Sequence, residues 1–273
     1  MLFVAIVIYN KKAEDIASMG DLLRFYKNHG FDHLRVIVVD NSDKDISSDK
    51  KFLSEEKIAY IRNNKNLGLS KAYNKAVRYA KHVSVDPKKD FILFLDDDTA
   101  VSYDYLEKLY DASLVEATST DGINVITSMV RSGGRPLSPT RGFRFRYSNK
   151  DYINKSGVYD DITFINSTTA IRLESLLKAG GFNEKLFLDM IDYTLCYSLS
   201  RRGLCKVRVL DEVIEQSFSG RTKTGKKVLL KRFYIYKKDF ETYCRITGRS
   251  RLFCRIALLK RRLMIKKFLK FQH

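Results

Sequence analysis

Three short runs dominated by apolar residues set the terms on which this chain can fold. Leu2–Ile8, Arg35–Val39 and Phe91–Leu95 are rich in β-branched or aromatic side chains, and each stops abruptly at polar or acidic residues. Asn10 follows the first, Asp40-Asn41-Ser42-Asp43 the second and Asp96-Asp97-Asp98 the third. Runs without polar alternation read as strands buried on both faces. Helical spacing lies between them. Ala13–His29 brings Ile16, Met19, Leu22, Leu23 and Tyr26 to one side and stops at Gly30, and Ser70–His82 reads as a helix with Ser70 as N-cap. Ile58–Ile61 adds a short strand before the turn Asn63–Gly68. Strand, helix, strand, helix, strand is the order of an α/β protein with a mostly parallel sheet flanked by helices. Ligands of such sheets bind at the carboxyl ends of the strands. Here those ends carry Asn10, Asp40 and Asp96–Asp98, which predicts a carboxylate-rich cleft along one edge of the sheet.

Further along, the pattern predicts a helix around Tyr103–Ala117, a strand near Ile123–Met129, a Gly/Arg-rich loop over Arg131–Arg146 and a strand at Asp161–Asn166. Leu173–Ala179 and Tyr193–Arg202 read as helices. A chain of 273 residues can bury a sizeable core. Its 44% hydrophobic and 30% charged residues exclude a disordered chain. No proline-rich linker divides it.

The carboxylates carry the chemistry. In extended backbone Asp96 and Asp98 share a face and Asp97 points away. Three adjacent carboxylates at the end of a buried strand repel one another unless a cation compensates, and hard oxygen ligands suit Mg²⁺ or Mn²⁺. The other reading is a solvated acidic turn capping the next helix. Asp40 can accept hydrogen bonds from a base or ribose, or cap a turn. Asn66-Leu67-Gly68-Leu69-Ser70 with Asn74 can offer donors to a phosphate at a helix N-terminus. Gly180-Gly181-Phe182-Asn183-Glu184 precedes a second acidic pair, Asp189 and Asp192, spaced to share a helical face. Asp192 fits a general base and also a helix N-cap, and the two roles are not exclusive.

The formal net charge of +18 suggests an anionic partner, but its distribution is uneven. Gly220–His273 carries 18 Lys and Arg against 2 Asp and Glu, leaving 32 against 30 in the rest. The expected division is therefore a domain over residues 1–220 and a basic, aromatic-rich helical extension over 221–273. Within Arg251–Phe271, Leu252, Ile256, Leu259 and Leu263 recur at helical spacing beside Arg251, Arg255, Arg262 and Lys266, with Lys260, Lys267 and Lys270 interrupting a clean stripe. Such a helix can lie on an anionic membrane surface. A packing helix with a solvated basic face and an RNA-binding tail are the alternatives. A near-neutral body with an acidic cleft would repel a phosphate backbone, so nucleic acid is not an expected partner. Cys196, Cys205, Cys244 and Cys254 form no CxxC pair and fit a reducing compartment. Leu2–Tyr9 has no basic n-region and is too short to span a membrane. The expectation is a cytoplasmic protein, peripheral on the inner face of the cell membrane.

Taken in order, Val7-Ile8-Tyr9-Asn10, Val39-Asp40-Asn41-Ser42, Asn66–Ser70 with Asn74, Phe94–Thr99 and Gly180–Asp192 resemble the family 2 glycosyltransferases with a GT-A (Rossmann-like) fold. The likeness is to their rhamnosyltransferase-like and galactofuranosyltransferase-like branch. It runs from Val4 to about Gly220. It implies an inverting hexosyltransferase of bacterial cell-surface polysaccharide synthesis, taking a UDP- or dTDP-sugar to a saccharide or lipid-linked saccharide acceptor. By the resemblance, Tyr9 and Asp40 flank the nucleobase, Asn66 and Gly68 lie near the diphosphate, and Asp96 and Asp98 form the pair contacting ribose and metal. Asp192 aligns with the general base and Asp189 with a companion acid on the acceptor side. Many relatives carry a His where this chain reads Glu215-Gln216-Ser217-Phe218-Ser219-Gly220, and some carry an additional acid where this chain has Thr194. The implied metal is then held by Asp98, diphosphate and water. A nucleic-acid-binding protein and a catalytically degenerate relative are the rival readings.

Overall fold

The computed structural model describes residues 1–30, 32–44, 48–143, 151–216 and 226–270, the side chains at 226, 227 and 267–270 excepted. β1 (Leu2–Ile8) leads through a 3₁₀ turn at Ala13–Asp15 to α1 (Met19–His29), β2 (Leu34–Asp40), α2 (Lys50–Glu55), β3 (Ala59–Arg62), α3 (Leu69–Val83), β4 (Phe91–Asp96) and α4 (Tyr103–Thr118). β5 (Val125–Ser132), β6 (Arg135–Ser138), β7 (Thr140–Arg141), β8 (Gly157–Asp160), β9 (Ile162–Thr163) and β10 (Thr169–Arg172) follow. The rest is α5 (Leu173–Lys178), α6 (Ile191–Ser200), β11 (Lys206–Glu215), α7 (Lys226–Ile246) and α8 (Arg251–Lys270).

The main sheet runs β3-β2-β1-β4-β10-β5-β11-β8, with β6 paired to β5, and β7 pairs β9 separately. β1 is central to the parallel half. It pairs parallel with β2 and with β4, so that Ile8 lies opposite Asp40 and Val7 opposite Asp96. That register levels the carboxyl ends of all three strands. β1 is buried along its whole length, and its alternate side chains feed two apolar layers. Phe3, Ala5 and Val7 meet Ala72, Tyr73, Ala76 and Val77 of α3 on one face. Leu2, Val4, Ile6 and Ile8 meet Leu22, Phe25 and Tyr26 of α1 and Tyr105, Leu106 and Leu109 of α4 on the other.

Several expectations are corrected. The helix predicted from Ala13 starts only at Met19, after a break at Ala17-Ser18, because the Ala17 N–H bonds back to the Asp97 carbonyl at 3.2 Å. Ser70 is buried inside α3, whose N-cap is Gly68. Gly68 has φ +86°, and a Cβ there would stand 2.8 Å from the Phe187 carbonyl oxygen, so only glycine fits. The strand expected over Asp161–Asn166 is just Ile162–Thr163, flanked by β8 and by β10, which runs antiparallel to β4 and β5. β11 went unpredicted. Its sequence KVRVLDEVIE interleaves apolar with charged residues, a half-exposed pattern that lacks the long apolar run of β1. The expected loop after Arg131 contains β6, and its residues 144–146 lie outside the described residues, as does the boundary expected at 220/221.

α7 and α8 form a helical pair sharing a small core of Tyr236, Phe240, Tyr243, Cys244, Cys254 and Leu258, against which Met190 and Tyr193 pack. All four cysteines are free and buried. Among the described residues no helix is long and apolar enough to cross a membrane. Asp239 of α7, fully buried, accepts the backbone N–H groups of Phe187 (2.9 Å), Leu188 (2.8 Å) and Asp189 (2.8 Å). The helix therefore holds the loop that enters α6. Asp239→Ala leaves three N–H groups without their acceptor and should cost about 2–4 kcal/mol of stability, read as a lowered urea midpoint; an unchanged midpoint would show that this loop is held by other contacts.

Candidate active site

β4 ends at Asp96, and the backbone turns at once: the Thr99 N–H bonds the Asp96 carbonyl at 3.2 Å. Asp97 and Asp98 thus lie in a turn, and the strand alternation expected to align Asp96 with Asp98 does not apply. The Asp96 carboxylate accepts the Tyr73 hydroxyl (3.1 Å) on Oδ1 and the Gln216 amide (3.2 Å) on Oδ2. Ser167 Oγ receives the Asp96 N–H at 3.2 Å and lies 3.0 Å from Thr99 Oγ1. Burial, reinforced by the Asp98 and Asp97 charges, raises the Asp96 carboxyl to about 6. Asp97 is also raised by burial, against the pull of Lys11, whose ammonium donates to the Asp97 carbonyl at 2.8 Å. Asp98 is exposed and makes no hydrogen bond or ion pair among the described residues.

Asp192 sits in the first turn of α6, whose N-cap is Met190. The capping reading of Asp192 is therefore wrong. Its Oδ1 accepts the Asn166 N–H at 3.1 Å, while Oδ2 has no hydrogen-bond partner among the described residues. Burial, with the neighbouring charges of Asp96 and Asp189, pushes this carboxyl up to about 7. Asp189 is held differently: the Arg232 guanidinium of α7 grips both its oxygens, one at 2.8 Å. Asp98 and Asp97 thus act on Asp96, and Asp96 and Asp189 act on Asp192.

The β2 side is a web of amides. Asn41 Oδ1 accepts from Asn63 Nδ2 (3.0 Å) and the Leu67 N–H (2.9 Å), while Asn66 Oδ1 accepts from Asn41 Nδ2 (3.0 Å) and the Gly68 N–H (2.9 Å). Asp40 is 1% exposed, its carboxylate shared between the Ser42 N–H (2.9 Å) and the Tyr60 hydroxyl (2.6 Å). Tyr9 is exposed on the rim and donates to Asp43 at 2.9 Å. Asn74 does not reach toward a phosphate. It clamps the Gly180–Phe182 turn, accepting the Phe182 N–H (2.9 Å) and donating to the Phe182 carbonyl (2.8 Å) and Glu184 (3.0 Å).

Nothing in the sequence marks Tyr73, Ser167, Arg232 or Asp239 as site residues, and Asn166 and Gln216 stand out there only as parts of longer stretches. Their signal was faint, since isolated polar residues become site residues only when the sheet and α7 assemble. Gln216 lies in the Glu215–Gly220 stretch where the resemblance led to the expectation of a His; Ser217–Gly220 lie outside the described residues. Buried polar atoms cluster here without partners among the described residues: both side-chain atoms of Asn166, Thr194 Oγ1 and Gln216 Oε1. Each costs about 1–3 kcal/mol unless a ligand or water satisfies it. Non-glycine residues with left-handed backbone stand at the same place, Asn10 (φ 54°), Thr168 (φ 67°) and Met190 (φ 62°). Such strain collects at sites whose geometry is over-determined, and Thr168 is held by Tyr105 and Ser128. No group of three or more acidic, His or Cys side chains converges as a ready-made metal cage among the described residues.

Solved structures share this architecture. GalNAc-T7 with UDP, GalNAc and Mn²⁺ matches with a TM-score of 0.57 at 12% identity, over 90% of this chain and 47% of its own. The mannosyltransferase PcManGT from Pyrobaculum calidifontis, in complex with GDP-Man and Mn²⁺, gives 0.54 at 16%, over 89% and 64%. TarS of S. aureus gives 0.53 at 16%, over 88% and 39%. The chain spans less than two thirds of the length of each of these three. Likeness at such identities establishes a common fold, the GT-A type. Comparison with curated protein sequences finds no significant match. The glycosyl transferase family 2 profile, however, matches residues 3–179, from β1 to just past α5, and on that match the chain belongs to glycosyl transferase family 2.

Proposed function

We propose that the protein is an inverting enzyme that moves a sugar from a UDP- or dTDP-linked donor to an acceptor hydroxyl in one in-line displacement. The observation that carries this reading is Asp192, a carboxyl raised to about 7 with one oxygen anchored and the other without a hydrogen-bond partner among the described residues, beside the Asp96–Asp98 turn. A base working near neutral pH needs such a value. The Asn166 N–H fixes Oδ1, leaving Oδ2 to take the acceptor proton as the hydroxyl attacks the anomeric carbon and the nucleoside diphosphate departs. Tyr73 and Gln216 hold Asp96 at the ribose side, Tyr9 and Asp40 flank the base, and Asn66 and Gly68 line the diphosphate. Asp189, gripped by Arg232, positions the entrance to α6.

The oxygen-only donor set suits Mg²⁺ or Mn²⁺: Asp98 is exposed and unpaired among the described residues, and of the effects that raise Asp96, burial first and the Asp98 and Asp97 charges after it, the charge crowding is what a cation relieves. Asp98, with Asp96 behind it, would hold the ion, which when bound neutralises charge on the departing diphosphate. The motif order further supports a saccharide or lipid-linked saccharide acceptor in bacterial cell-surface polysaccharide synthesis, and the acidic cleft would repel a phosphate backbone.

Incubation with a panel of nucleotide sugars and Mn²⁺ or Mg²⁺ should reveal slow donor hydrolysis, and no turnover of any donor would count against the reading. Asp98→Ala should lower activity by roughly 10²-fold or more and abolish metal-dependent nucleotide binding while the melting temperature stays put. Retention of metal-dependent binding would move the ion elsewhere.

Asp192→Asn should lower turnover by about 10²–10⁴-fold with donor affinity nearly unchanged. In the wild type, kcat/KM should rise with pH through about 7 as this carboxyl ionises. Stability should move the opposite way. Between the ordinary carboxyl range and about 7 the folded protein keeps a proton that the unfolded chain releases, so stability falls as pH rises through that window. Asp192→Asn removes its part of that slope and should melt higher than the wild type at pH 8. A lower melting temperature, or an equal loss of donor affinity, would make Asp192 structural.

A further inference from the structure

α8 is two-faced. Cys254 and Leu258 are buried against α7, Phe253 and Ala257 pack beside them, and Arg261 lies over the Tyr236 ring at 4.6 Å. On the opposite side Leu252, Ile256, Leu259 and Leu263 are 68%, 45%, 57% and 54% exposed. At about 100° per residue these four fall within about 60° of one another around the helix. Exposed Arg255, Arg262 and Lys266 run along one flank, and Lys260 along the other. Lys260, expected to interrupt the stripe, borders it instead. α8 contains eight Lys and Arg and no Asp or Glu.

An apolar ridge with a row of cations on one flank and Lys260 on the other satisfies neither water nor a polyanion alone. A phosphate backbone would leave the four apolar side chains wet, and a second copy of the chain would set the cations of this face, Arg255, Lys260, Arg262 and Lys266 among them, against their like. A surface that is anionic outside and hydrocarbon just beneath satisfies both the flanking cations and the ridge. We propose that the outer face of α8 docks flat on the surface of an anionic lipid bilayer, with Leu252, Ile256, Leu259 and Leu263 entering the headgroup–acyl boundary and the flanking Arg and Lys side chains reaching the lipid phosphates. Since α8 packs on α7 and α7 grips the loop carrying Asp189, docking would set the cleft at a fixed height above the lipid. The proposal stands on α8 alone and does not need the catalytic roles given above.

The chain contains no tryptophan, so Leu259→Trp places a single indole reporter on the ridge. With the full-length protein, its emission should shift to the blue on phosphatidylcholine vesicles containing phosphatidylglycerol, much less on pure phosphatidylcholine, and the shift should weaken in high salt. On that background, Leu252→Ser with Ile256→Ser and Leu263→Ser, or Arg255→Glu with Arg262→Glu and Lys266→Glu, should each reduce vesicle sedimentation by about tenfold or more. Every altered residue is exposed, so melting temperature and donor hydrolysis should remain those of the parent. Absence of a shift on anionic vesicles, sedimentation equal for parent and variants, a shift on poly(U) RNA but not on lipid, or concentration-dependent dimerisation through α8 without lipid would each overturn the proposal. Loss of donor hydrolysis with vesicle binding intact would bear on the catalytic reading alone.

Discussion

Carboxylates crowd the carboxyl edge of the sheet faster than the protein supplies cations to match them. The β1–β2 and β1–β4 registers level Asp40 with Ile8 and Asp96 with Val7, and the loop entering α6 brings Asp192 alongside. Burial drives both Asp96 and Asp192 upward, with the Asp98 and Asp97 charges adding to the first and those of Asp96 and Asp189 to the second. A fold selected for stability alone would not keep two such groups, because their desolvation is a standing cost. The surrounding architecture can be read as the means by which that cost is borne: Tyr73 and Gln216 on Asp96, one backbone N–H on Asp192, and an exposed Asp98 left open.

Holding these groups in place takes an unusual amount of backbone. Gly68 and Phe187 meet at a distance that no side chain at 68 would permit, and the Leu69 N–H bonds the Phe187 carbonyl at 2.6 Å. Asn74 does the same for Gly181, whose Cβ would fall 2.7 Å from Asn74 Oδ1. Asp239 then takes the three N–H groups from Phe187 to Asp189. The loop before α6 is thereby pinned from α3 on one side and α7 on the other. The basic C-terminal helices are for this reason more than a charged appendage: they furnish an acceptor and a guanidinium that fix the second acidic pair.

Much of this was legible in advance. β1, β2 and β4 were recognisable because strands buried on both faces must be apolar throughout, and their polar stops marked the cleft. The motif residues at 66–68, 96–98 and 180–192 were recognisable as a set in order. Their individual duties were not. Asn74 looks like a phosphate donor in sequence and is a turn clamp in space, and Asp192 looks like a helix cap although Met190 holds that position. β8, β10 and β11 were missed because short or half-exposed strands carry weak patterns, and their pairing is long-range.

By itself, the sequence determined an α/β chain with a polar cleft at the ends of its apolar strands, a near-neutral body and a strongly basic tail. Composition and periodicity are local properties, and burial on one or two faces writes itself into them directly. Only the tertiary structure decided which polar groups share the cleft. Gln216 reaches Asp96 across 120 residues, Arg232 reaches Asp189 across 43 and Asp239 reaches Phe187 across 52. Such pairings leave no periodic trace, because a hydrogen bond depends on where two chain segments meet and not on how far apart they stand in the sequence.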